Sequence, residues 1–380
     1  MNILFAITGI AFALFVAFLF SYDRKNIDFK KTLIMIFIQV LIVIFMMNTT
    51  IGLTILTALG SFFEGLINVS KAGINFVFGD IQNKNGFTFF LNVLLPLVFI
   101  SVLIGIFNYI KVLPFIIKYV GIAINKITRM GRLESYFAIS TAMFGQPEVY
   151  LTIMLGSYMQ MIEPKFVVTA VMLNIFSALI IASVINPYKS DDTDVEIDNL
   201  TKSTETKTLN GKTGKPKKVA FFQMIGDSAM DGFKIAVVVA VMLLAFISLM
   251  EAINIMFGSV GLNFKQLIGY VFAPIAFLMG IPWSEAVPAG SLMATKLITN
   301  EFVAMLDFKN VLGDVSARTQ GIISVYLVSF ANFGTVGIIV GSIKGISDKQ
   351  GEKVASFAMR LLLGSTLASI ISGSIIGLVL

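Results

Sequence analysis

Met279-Gly280-Ile281-Pro282-Trp283-Ser284-Glu285, leading through small residues to Thr299-Asn300-Glu301-Phe302, is the stretch on which the reading of this chain turns. It sets helix breakers, carboxylates and an amide into otherwise apolar sequence. An earlier stretch runs in the same order, from Met130-Gly131-Arg132-Leu133-Glu134-Ser135 to Phe144-Gly145-Gln146-Pro147-Glu148. Each has Met-Gly, a carboxylate, a run rich in small residues, and then an amide near a second carboxylate. Each follows an apolar span and a partly amphipathic segment, near 109–129 and 259–279. Paired, interrupted apolar segments at matching places in two halves are the sequence sign of an inverted-repeat transporter fold.

The surroundings agree with a membrane setting. The chain is 57% hydrophobic and 13% charged, with a mean hydropathy of +0.89. Ordinary soluble domains are roughly 45–50% apolar. Apolar runs of about the length needed to cross a bilayer stand at 3–20, 32–47, 89–107, 166–185, 233–256, 322–341 and 354–380. The fold class is an all-α polytopic membrane protein. Arg24, Lys25, Lys30 and Lys31 follow the first run rather than precede it, unlike a cleavable signal peptide. The excess of cytoplasmic Lys and Arg near membrane spans then puts the 22–31 loop inside and the N-terminus outside. Two further spans return the chain to Lys111, Lys118, Lys126, Arg129 and Arg132, whereas 59–87 carries only Lys71 and Lys84.

Residues 187–219 mix Asp191, Asp192, Asp194 and Glu196 with Lys212, Lys215, Lys217 and Lys218, among others, and read as a flexible cytoplasmic linker. The net charge of +6 sits mostly in cytoplasmic loops. It reads as a topology signal, not a nucleic-acid footprint. Cysteine and histidine are absent, which removes thiol catalysis and metal sites built on those residues. A proton-linked step would have to use carboxylates.

Charged and amide groups at bilayer depth are expensive and mark ligand or ion pathways. Gln146, Glu148, Asn300, Glu301 and Asn332 meet that test, the bland alternative being hydrogen-bonded glue between helices. Phe330-Ala331-Asn332-Phe333-Gly334-Thr335 predicts a locally unwound helix, and Pro147 and Pro282 predict re-entrant hairpins. Amides, carboxylates, a hydroxyl and phenylalanines suit a neutral, hydroxylated, ring-bearing ligand. No compact basic cluster at membrane depth favours a phosphorylated one.

Ala294-Thr295-Lys296-Leu297-Ile298-Thr299-Asn300-Glu301-Phe302-Val303-Ala304-Met305 resembles the signature of the concentrative nucleoside transporter family, in its bacterial nucleoside permease branch. Gly145-Gln146-Pro147-Glu148, Glu163-Pro164-Lys165, Ile185-Asn186-Pro187-Tyr188 and Ser329-Phe330-Ala331-Asn332-Phe333 extend the resemblance over almost the whole chain. It implies a homotrimer in the bacterial cytoplasmic (inner) membrane that imports a nucleoside, such as uridine or another pyrimidine nucleoside, by cation symport. It also implies a transport domain of hairpins and broken helices that moves against a scaffold like an elevator. On that pattern 1–107 are N-terminal scaffold spans and 108–186 the first transport repeat. Residues 187–219 are the linker, and 220–380 the second repeat. Gln146 and Glu148 resemble first-hairpin groups facing the base, and Glu301, beside Asn300, the second-hairpin carboxylate for ribose hydroxyls. Phe330, Asn332 and Thr335 match broken-helix contacts. Glu148, Glu301 and Thr141 are the candidates for ion coupling. Thr141 stands where sodium-coupled members tend to carry Asn, which favours a proton over Na+. No organic cofactor and no enzymatic role are expected.

The two halves differ in length. After Glu301 the chain continues for 79 residues, but after Glu148 only 38 precede Pro187. A returning hairpin arm and a full span do not both fit into 149–163. The expectation is one long helix over 134–162 kinked at Pro147. The alternative reading is a transport-incompetent, nucleoside-sensing or gating protein of the same fold.

Overall fold

A computed structural model of the chain describes residues 2–79, 88–116, 119, 157–187, 220–346 and 348–380, with no strand among them. Gln146, Glu148 and Thr141, and the expected kinked helix up to residue 156, lie outside the described residues. In hydrocarbon each backbone N–H and C=O needs a partner within its own segment, so the apolar runs fold as helices. These are α1 (Asn2–Leu19), α2 (Phe29–Asn48) and α3 (Thr50–Phe78), then a π-helical turn (Phe90–Leu94) leading into α4 (Pro96–Tyr109). After α5 (Pro164–Ile185) and α6 (Phe221–Gly258) come α7 (Phe264–Leu278), α8 (Trp283–Ile298) and α9 (Glu301–Val311). The chain ends with α10 (Ala317–Leu327), α11 (Phe333–Ile346), α12 (Asp348–Ser356) and α13 (Ala358–Ile376).

Six of the described helices, counting the π turn with α4, are long and apolar enough to cross a membrane. Local chemistry sets their ends. Asp28 caps α2, its side chain accepting from the Lys31 N–H at 3.1 Å, and Arg24 donates to the Phe18 and Leu19 carbonyls at the end of α1. Pro96 cannot donate to the preceding turn, and the Leu95 N–H reaches the Phe90 carbonyl instead, which widens the helix there.

Two elements depart from the sequence reading. Residues 59–78, to which the sequence reading assigned no element, continue α3 as helix. Buried Leu56, Gly60, Ile67, Ser70 and Ile74 recur at helical spacing, while Phe76 is 91% exposed. The run 322–341 is not one span: α10 stops at Leu327 and α11 begins at Phe333. The expected unwinding is present, but it covers 328–332 and leaves Gly334 inside α11.

The described residues group into two compact units. In the smaller one, the second part of α3, the π turn, α4 and the first part of α6 pack together. The Ser101 hydroxyl donates to the Ser228 carbonyl at 2.8 Å, and Ile74, Leu91 and Leu95 form an apolar cluster. In the larger unit α1 lays Ala6, Ile10, Ala13 and Ala17 inward. There α7 and α8 meet at a bend of 116°. Gly280 takes φ +97° at this bend, a conformation glycine adopts without strain. The Arg318 Nε donates to its carbonyl at 2.9 Å. Across the bend the helices touch backbone to backbone: a Cβ on Gly290 would lie 2.5 Å from the Gly269 carbonyl oxygen.

Gly290→Ala should therefore destabilise the protein by about 1–3 kcal/mol, the range for overpacking. A lowered Tm of the detergent-purified protein checks this. Gly65→Ala, where a Cβ meets nothing within 4 Å, should leave the Tm unchanged or slightly raised.

Candidate functional site

The site forms where α8 gives way to α9 and where α10 gives way to α11. Thr299 and Asn300 make the first junction. Asn300 is extended, and its side-chain oxygen accepts from the Val303 N–H at 3.0 Å, capping α9. The first residue of α9 is Glu301, at the positive end of the helix dipole. It is only 4% exposed. Pro282 N-terminally flanks α8, as expected for an interruption, with its neighbour Trp283 opening the helix.

The second junction supplies the partner. Asn332 is fully buried and its Nδ2 donates to Glu301 Oε2 at 2.8 Å. Its Oδ1 accepts from the Thr335 N–H at 2.7 Å, starting α11. One amide thus ends the break and holds the carboxylate. The other carboxylate oxygen, Oε1, accepts from the Tyr158 hydroxyl at 2.9 Å. The Tyr158 ring lies 5.1 Å from that of Phe302 and 6.5 Å from that of Phe330, both tilted. Phe330, in the unwound segment, is half-buried. A carboxylate offers about four acceptor positions, so Glu301 retains acceptor capacity for a hydroxyl ligand.

Among the sequence-predicted residues, Glu301 and Asn332 are bonded directly. Thr335 joins them through its backbone, and Phe330 through Tyr158. Asn300 carries a capping bond at the hairpin tip. Three residues that sequence reasoning assigned no role also hold the site. Tyr158 gave no signal, because a lone Tyr beside Gly156-Ser157 is unremarkable. Asn174 sits in an apolar span and met the same buried-amide test as Asn332. Its Nδ2 donates to the Val328 carbonyl in the break, and its Oδ1 accepts from Ser372 at 2.7 Å. Lys296, present in the quoted motif, is fully buried and reaches Tyr326, Ser329 and Ser369.

The profile of the Na+ dependent nucleoside transporter C-terminus matches residues 166–377, and that of the corresponding N-terminus matches 8–81. The chain belongs to the Na+ dependent nucleoside transporter family. The purine nucleoside transport protein NupG of Bacillus subtilis is 32% identical, with 100% of this chain and 99% of that protein covered. Nucleoside permease NupC of Helicobacter pylori is 26% identical over 99% of this chain and 97% of its own length. CNTnw, solved in an inward-facing substrate-bound state, is 27% identical and superimposes with a TM-score of 0.88 over 100% of this chain and 98% of that one. The fold is accordingly an all-α, multi-pass membrane transporter. The NupG alignment runs over 410 positions against 380 residues in this nucleoside transporter family member, so at least 30 positions have no counterpart here.

Asn332→Ala leaves Glu301 Oε2 without its amide donor, which should lower stability by about 1–3 kcal/mol. Thermal unfolding of Asn332→Ala, Glu301→Gln and the double variant checks it. The double variant should lose measurably less than the sum of the two single losses, because the two residues share one bond.

Proposed function

We propose that the chain imports nucleosides across the cytoplasmic membrane by proton-coupled symport. The observation that carries this reading is the buried Glu301–Asn332 pair, which joins the tip of an interrupted helix pair to the broken helix α10–α11. Buried carboxylates and unwound helices at membrane depth are where transporters place ligand and ion. Ribose hydroxyls donate to the acceptor positions that Glu301 retains, and the half-buried Phe330 ring stacks on the base. Gln146 and Glu148 contribute to the base side, with Asn300, Asn332 and Thr335 completing the opposite side. Glu148 and Glu301 are the protonatable groups, and Thr141 supports a proton over Na+, although the family is named for Na+. A cation gradient drives uptake in either case.

The mechanism follows the family pattern: an elevator motion of the transport domain against scaffold spans, in a homotrimer with one site per protomer. That CNTnw has been solved in both inward-facing and outward-facing states supports alternating access. Uridine or another pyrimidine nucleoside is the substrate to test first. The name of the Bacillus relative adds a purine nucleoside as the competitor to test against it.

Radiolabelled uridine uptake into proteoliposomes under separate proton and Na+ gradients decides the proposal, with inosine as competitor. Uptake should follow the proton gradient and fall by at least about 100-fold in Glu301→Gln, since a buried carboxylate's hydrogen bonds contribute roughly 1.5–3 kcal/mol each. Uptake that follows only Na+ would assign the other ion. A folded, nucleoside-binding protein with no flux would support the sensing alternative.

The topology admits a clean test because the chain has no cysteine. With the N-terminus outside, a single cysteine at Lys25 should be labelled by an impermeant maleimide only from the cytoplasmic side. One at Lys111 should behave alike, which requires α3 to lie along the membrane face rather than cross it. Opposite-sided labelling of the two positions would make α3 a span.

A further inference from the structure

Lys296 is a fully buried lysine in the last turn of α8, five positions before Glu301. Its Nζ lies within hydrogen-bond distance of three oxygens: the Tyr326 carbonyl, the Ser329 hydroxyl and, at 3.3 Å, the Ser369 hydroxyl. Three donors meet three acceptors, as an ammonium requires. The Tyr326 ring face lies 4.2 Å from the same atom. No carboxylate among the described residues is within ion-pair distance of it.

The place is as telling as the partners. Tyr326 is in the last turn of α10, where the helix dipole is negative and the following backbone is unwound. In discontinuous membrane helices such C-terminal ends and unwound carbonyls coordinate small monovalent cations. Here a carbonyl and two serine hydroxyls form that oxygen set, and the protein's own side chain occupies it. Ser369 is fixed in turn by donating to the Ser365 carbonyl at 2.9 Å, so α13 forms a rigid back wall.

We propose that Lys296 is a tethered cation: its ammonium fills a monovalent-cation position at the end of α10 and thereby fixes residues 328–332, with Phe330 and Asn332, in the geometry that Glu301 uses to bind ligand. Lys296 is a positioning residue and does not touch the substrate. It holds Ser329 from one side, Asn174 holds Val328, and Glu301 holds Asn332. One hairpin thus supplies the cation that fixes the break and the carboxylate that works with it. The proposal takes the nucleoside-binding reading as its premise, and it implies that the coupling ion binds elsewhere, since this position is already filled.

The test compares Lys296→Ala, Lys296→Met and Lys296→Arg with wild type, measuring uridine Kd and Tm on detergent-purified protein in choline chloride and in ethylammonium chloride. Lys296→Ala should weaken uridine binding about tenfold or more, the scale of a lost charge-assisted hydrogen bond, and lower the Tm. Ethylammonium, which fits the vacated stem and oxygens, should restore much of both, and choline neither. Lys296→Met, whose stem fills the space without charge, should stay defective in both salts, whereas Lys296→Arg should recover most of the affinity. Wild-type binding by Lys296→Met, or equal behaviour of Lys296→Ala in the two salts, would overturn the proposal. If wild type binds no nucleoside, the functional reading fails, yet ethylammonium-dependent recovery of Tm in Lys296→Ala still decides the cation position. Should the charge-removing variants not fold, Ser369→Ala replaces them: a lowered Tm with weakened uridine binding supports the tethered cation, and an unchanged protein refutes it.

Discussion

The absence of water at membrane depth is the constraint on which the rest of this structure depends. A helix broken in hydrocarbon exposes carbonyls and N–H groups that lipid cannot satisfy. The break at 328–332 exists because the protein supplies the missing partners from the break's own Asn332 and from three other places. Asn332 closes the start of α11, Lys296 and Asn174 take carbonyls at the end of α10, and Glu301 fixes Asn332. Each of these polar side chains would be costly alone. Together they leave few groups unsatisfied, and the unwound segment becomes a defined surface.

The packing around the site serves that end. Small residues let backbones approach, which substitutes for a hydrophobic driving force that lipid does not provide. Gly269 and Gly290 bring α7 against α8, and Arg318 and Gly280 lock the bend between them. A second buried polar chain runs beside the break. Gln39 donates to the Leu173 carbonyl and to the Ser177 hydroxyl, which is hydrogen-bonded to the Ser372 hydroxyl, and Ser372 donates to Asn174 Oδ1. It ties α2 and α13 to α5, and so indirectly to Val328.

The breaks and their chemistry were legible before any coordinates, but not their full support. Asn332 and Glu301 stand out because amides and carboxylates are rare in apolar sequence, and the structure pairs them. The boundary of the break was misplaced by a few residues. Gly334 suggested where the helix would weaken, but capping by Asn332 lets Gly334 join α11. The sequence reading assigned no element to 59–78, because its apolar residues mark one stripe instead of a continuous run. Tyr158 was invisible: its role comes only from meeting Glu301 across 143 positions.

By itself, the sequence determined that the chain is helical and membrane-embedded, where its cations accumulate, and that two interrupted segments carry the polar groups. Those properties are local or periodic, so composition and spacing express them directly. Only the tertiary structure decided which polar groups meet. Lys296 and Glu301 are neighbours on one hairpin, yet one turns to Ser369, 73 positions on, and the other to Asn332, 31 positions on. That choice depends on how helices of fixed period stack face to face, and no local pattern encodes which faces come together.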